Sequence, residues 1–152
     1  MKKIIFFISV ICLLPACKPS VTTHDFLGDY DAQTTLLISL SALPGVPLPF
    51  SDSTTFSIVE LGENRVRLVY TDSTTLDATV NGQTITLDSD STFYQFKGVE
   101  IKGIASGSGV LKDKVLTING QFSGDVIGSI DMSPTPLTGT CDGTTVTIAT
   151  KK

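Results

Sequence analysis

The chain has 152 residues, 11 basic and 15 acidic side chains, a net charge of −4, no tryptophan, three cysteines and one histidine. That length suits a single domain with one sizeable core. The acidic balance excludes a basic face for nucleic acid and a polybasic grip on anionic lipid, and a lone histidine excludes a multi-histidine metal site.

In chain order, the first element is a leader. Lys2 and Lys3 precede an almost wholly apolar run from Ile4 to Leu14, and Leu14-Pro15-Ala16-Cys17 ends it with a small residue before a cysteine. Charged, apolar and small-residue regions in that order make a secretory signal. The run is too short for a transmembrane helix, which needs roughly 20 apolar residues. Its end resembles the lipobox of bacterial lipoproteins, and that resemblance implies cleavage before Cys17 and a covalent diacylglycerol on its thiol. Residues 1–16 are then a lipoprotein signal, 17–26 a lipidated flexible tether and 27–152 a folded domain. The mature chain would have 136 residues and a charge of about −6. With Cys17 lipidated, Cys141 has no partner for a disulfide.

Beyond the tether, apolar residues alternate and turn signals recur every eight to twelve residues, which predicts an antiparallel all-β domain. Tyr30, Ala32, Thr34, Leu36, Ile38 and Leu40 share one face of a long first strand. Phe56 and Ile58 mark a second, and Val66, Leu68 and Tyr70 a third beneath exposed Arg65 and Arg67. Leu76, Ala78 and Val80 mark the fourth. Asn81-Gly82 predicts a type I′ hairpin into Ile85 and Leu87. Phe93 to Phe96, a Gly-rich strand from Ile101 to Leu111, Val115 to Phe122, Val126 to Met132 and Thr144 to Thr150 follow. Eight to ten strands in simple succession predict an up-and-down barrel, since closure removes exposed edges. A two-sheet sandwich is the alternative.

Three similar segments, Asp52-Ser53-Thr54, Asp72-Ser73-Thr74 and Asp90-Ser91-Thr92, each precede a predicted strand. Counting turns in a meander puts all three at the end away from the tether, with Asp113 and the loop from Ser133 to Gly143. The tight turns around Gly62, Gly82 and Gly124 fall at the tether end. The carboxylates of Asp52, Asp72 and Asp90 form a weak candidate cation rim, because clustered oxygens suit hard cations. Local Asx-turn chemistry explains the same residues without a ligand.

Two loops at the far rim are unusually apolar and proline-rich. Pro44, Val46, Leu48 and Phe50 in the first, with Pro134 and Leu137 in the second, are the candidate contact residues for a small apolar ligand or an envelope partner. They equally suit a cap over a filled barrel. No nucleophile–histidine pair, phosphate loop or C-x-x-C occurs, so neither an enzyme nor a cofactor beyond the lipid is expected; a tethered hydrolase working through paired carboxylates is the third alternative.

The lipobox, the short tether and the Gly-x-Tyr opening at Gly28-Asp29-Tyr30, followed by a small Thr- and Gly-rich meander, resemble the calycin-like or lipocalin-like lipoproteins of Bacteroidota. The resemblance implies a lipid-anchored protein of the outer membrane. Lys18 after the lipid site, and a tether whose one acid is Asp25, favour its periplasmic face, with surface display as the alternative. It maps no binding residue onto this chain.

Overall fold

The computed structural model describes residues 21–41, 44–96, 99–128 and 137–152, with the backbone alone at 90–96, 99, 101, 128 and 137. The leader, Cys17 and Pro134 lie outside the described residues. A short helix, α1 (Thr23–Phe26), precedes eight strands: β1 (Gly28–Leu40), β2 (Leu48–Gly62), β3 (Arg65–Tyr70), β4 (Thr75–Asn81), β5 (Thr84–Phe96), β6 (Val99–Lys112), β7 (Val115–Gly128) and β8 (Leu137–Lys151). Each strand pairs antiparallel with its neighbour in sequence, and β8 pairs with β1 from Tyr30↔Lys151 to Leu40↔Cys141. The expected up-and-down barrel is therefore present, with eight strands, a fold consistent with the calycin type.

Three predicted turns are instead strand interior. Asp88 to Thr92 carries turn-forming side chains, yet β5 runs through it, and the extra residue is absorbed by a bulge between Leu87↔Gly107 and Asp90↔Ala105. A bulge lets one strand carry an unpaired residue without breaking the ladder. Gly124-Asp125 also lies within a strand, because Gly124 is needed opposite Gly103 rather than at a corner. The Asp52-Ser53-Thr54 segment lies inside β2 as well. Merging these strands moves the Asp113 turn to the α1 end, where Asp113 and Lys114 both have positive φ in a two-residue hairpin between Lys112 and Val115. The β4–β5 loop is Gly82-Gln83, one residue later than predicted. Gly82 has positive φ and Gln83 does not, which fits a II′ loop rather than I′.

The α1 end is tightly closed. Phe26 is fully buried under the barrel, and the Tyr30 hydroxyl donates to the Phe26 carbonyl at 2.8 Å. The Asp25 carboxylate accepts from the Thr22 amide at 2.7 Å and holds the start of α1. The segment read as flexible tether thus ends in a folded plug. Two apolar clusters fill the interior. One, near α1, contains Phe26, Tyr30, Phe56, Leu68, Ile85 and Leu116. The other, at the far end, contains Ile38, Leu40, Phe122, Val126 and Cys141. Between them the inward positions of β1 and β8 are threonines, and the Thr34 and Thr147 hydroxyls bond to each other at 2.8 Å.

Candidate functional site

The predicted rim residues divide between core, surface and undescribed chain. Leu48 and Phe50 belong to β2 and pack, half-buried, against the far cluster. Pro44 is exposed in the preceding turn, and Val46 is 54% exposed. Leu137 opens β8 opposite Gly128. The first loop is therefore largely a cap on the far cluster, with Val46 as its protruding apolar tip.

The carboxylates are placed by local chemistry. Asp52 accepts from the Ser53 amide at 2.8 Å within β2. Asp72 accepts from the Thr74 amide at 2.9 Å, and this bond holds its carboxyl below the ordinary value. Asp90 lies in β5 opposite Ala105. Among the described residues no group of three His, Cys, Asp or Glu could hold a metal ion. Cys141 is buried in the far cluster, and desolvation, with Asp142 adding a smaller effect, pushes its thiol up. A protonated, buried thiol is a packing residue rather than a nucleophile.

One void in the described interior, beside Leu76, Leu87, Ala105 and Phe122, measures about 30 Å³, the space of one water. The larger concavity, about 580 Å³, lies on the outside of the barrel, across β6, β7, β8 and β1. Leu37, Ile104, Gln121, Asp142 and Thr144 line it, and Phe122 forms its floor.

Beneath the dish, inward glycines alternate with the side chains of the far cluster. Gly103, Gly107, Gly120, Gly124 and Gly143 point inward beside Ala105, Phe122 and Cys141. A β-carbon on Gly103 would fall on the Ser123 carbonyl oxygen, one on Gly124 on the Lys102 carbonyl oxygen, and one on Gly143 on the Phe122 ring. Only glycine permits these approaches. Nearer α1, Leu111, Leu116 and Ile118 are buried under the same strands.

Chemistry separates this wall from the rest of the barrel. The register aligns its outward residues in rows, and the middle three run Ser106-Gln121-Thr144-Leu37, Ser108-Asn119-Val146-Thr35 and Val110-Thr117-Ile148-Gln33. None of these residues is charged. Leu37, Val110, Val146 and Ile148 are each 41% or more exposed. Across β3 to β5 the outer face is instead ion-paired: Arg67 meets Asp77 at 2.6 Å and Arg65 meets Asp88 at 2.7 Å. Arg67 also holds the Asp77 carboxyl below its ordinary value.

Sequence reasoning placed function at the loops and passed over this wall. The signal was legible in β8, whose alternate residues Thr144, Val146, Ile148 and Thr150 carry no charge, but it reads as an ordinary solvent face until the neighbouring strands are aligned. No protein-family model matches the chain, and no curated protein matches it either.

Proposed function

We propose that this protein is a lipid-anchored, non-catalytic interaction module of the bacterial envelope, acting through its outer surface rather than by carrying a ligand inside the barrel. The observation that carries the reading is the contrast between an interior void of about 30 Å³ among the described residues and an external concavity of about 580 Å³. A one-water void does not admit a lipid or a drug-sized molecule, whose sites span roughly 300–1,000 Å³. The anchor rests on the leader: Lys2-Lys3, the Ile4–Leu14 run and Ala16-Cys17 suit acylation at Cys17. Two or more acyl chains give stable attachment, here to the outer membrane on its periplasmic face. The chemistry of the described residues supports the non-catalytic reading, since His24 is exposed on α1 and Cys141 is buried.

A second reading places a small apolar ligand at the far rim, favoured by the exposure of Val46 beside Leu48 and Phe50. Native mass spectrometry of the detergent-extracted protein separates the two. Acyl mass on Cys17 with no other small molecule is the expected result. A co-purifying apolar molecule overturns the surface reading.

A further inference from the structure

We propose that a notch in the barrel wall, between β2 and β5, takes an extended basic segment of a partner protein as an added strand. The inference rests on the surface-acting reading above and names the class of partner. The notch follows from strand lengths. β3 ends at Tyr70 and β4 begins at Thr75, whereas β2 and β5 run on past them toward Leu48 and Phe96. β2 meets β3 only from Phe56 to Gly62, and β5 meets β4 only from Thr84 to Leu87. Beyond those points, among the described residues, β2 pairs with β1 alone and β5 with β6 alone. Two strands are thus missing from the far half of the wall, and the β3–β4 turn is the floor of the opening.

Hydrogen-bond directions show which groups line the β2 side. The Tyr70 amide donates to the Thr74 carbonyl, and the Lys152 amide donates to the Asp29 carbonyl. Tyr70 therefore faces β4 and leaves Val69 to bond Ser57, while Asp29 faces β8 and leaves Tyr30 to bond Phe56. Alternate residues of a strand bond opposite neighbours, so both observations turn the odd residues of β2 away from β1. The backbone groups of Ser51, Ser53 and Thr55 then point into the notch. Pro49, which has no N–H, occupies the same kind of position, one that an edge strand tolerates. Asp52 lies in register with inward Thr34 yet is exposed, so the wall is open to water there. Its carboxylate accepts from the Ser53 amide at 2.8 Å, a local bond that an incoming carbonyl would replace.

Length and charge name the occupant. From Pro49 to Thr55 the edge runs roughly 23 Å, room for one strand of ordinary length. Residues 48–55, 71–74 and 88–96 border the notch with Asp52, Asp72, Asp88 and Asp90 and no lysine or arginine. Arg65 reaches Asp88 at 2.7 Å from the neighbouring β3. The edge of a second copy would set the same aspartates against these, and like charges opposite each other repel. A basic strand gains instead: its carbonyl takes the Ser53 amide and its cation the carboxylate of Asp52, as in other strand additions at a sheet edge.

The test uses the full-length chain in detergent and a labelled, end-capped peptide of alternating lysine and threonine, with binding read by fluorescence anisotropy. The peptide is expected to bind about tenfold or more tighter than its glutamate counterpart. Methylating every backbone nitrogen keeps the charge and removes the ladder bonds, and is expected to weaken binding about tenfold or more. Ser51→Pro should cause a similar loss with an unchanged urea midpoint, because the Ser51 amide does not bond β1. Equal binding of the methylated peptide overturns strand addition, and equal binding of the glutamate peptide overturns the basic occupant. A wild-type dimer that Ser51→Pro dissociates gives the edge to a second copy and overturns it too. If no peptide binds, the notch proposal fails. Native mass then separates the two readings: without small-molecule mass the surface reading stands, and with a co-purified apolar molecule it falls as well.

Discussion

At the residue scale, the interior places polar atoms only where a partner is built in. Tyr30 is fully buried, its ring stacks on Phe56 at 5.3 Å, and its hydroxyl is held by the Phe26 carbonyl. Burial pushes its phenol up to about 12, against about 10 in an unfolded chain. Between those values the unfolded state releases the proton while the folded state keeps it, so stability falls as pH rises from about 10 to 12, by on the order of 2 kcal/mol. Tyr30→Phe is expected to lose about 1 kcal/mol at neutral pH with the hydrogen bond and to remove that part of the alkaline decline. Urea melts of both proteins from pH 9 to 12 measure the difference, and parallel curves would refute the assignment. The Thr34–Thr147 pair follows the same rule. Thr147→Val leaves one hydroxyl unsatisfied and costs about 1–2 kcal/mol, whereas the double replacement by valine is close to neutral. A double-mutant cycle in urea checks this, and additive losses would mean that the pair is not coupled.

At the element scale, the glycines of β6 to β8 let neighbouring backbones approach closely. Gly124→Ala puts a methyl group against the Lys102 carbonyl, backbone that cannot rotate aside. The expected cost is about 1–3 kcal/mol or more, read as a lower urea midpoint, and an unchanged midpoint would show that the strands can part without penalty. These glycines also show how far the sequence was legible. The alternation of Tyr30 to Leu40 and of Val66 to Tyr70 predicts the inward faces correctly, because a strand with one buried face must alternate. Gly103, Gly107 and Gly109 announce close approaches. Gly124 looks like half of a Gly-Asp turn, since local chemistry is the same whether glycine serves a corner or faces another glycine across a ladder. Asp88 to Thr92 misleads for a related reason: turn-forming side chains also suit a bulge at an exposed position. Strand parity depends on both, so misreading them sends Asp113 to the wrong end. The dish is a property of four aligned strands, and no single strand contains it.

At the scale of the whole molecule, the barrel has an inherent direction. α1, the hairpins at Asn64, Gly82 and Asp113, and the C-terminal Lys151 and Lys152 gather at one end. Basic and acidic side chains mix there, Arg65, Lys112 and Lys114 with Asp25, Asp29, Glu63 and Asp113. Cys17 is six residues before Thr23, the start of α1, so the chain between them spans at most about 22 Å. A lipid on Cys17 would therefore hold the α1 end close to the bilayer. Cys17→Ser tests the arrangement at its base. The wild-type protein is expected to enter the detergent phase on cloud-point separation and the variant the aqueous phase. Their urea midpoints should coincide, because Cys17 precedes the described fold, which begins at Val21. Partition of both proteins into detergent would place the attachment in the barrel itself. Partition of both into water would remove the anchor.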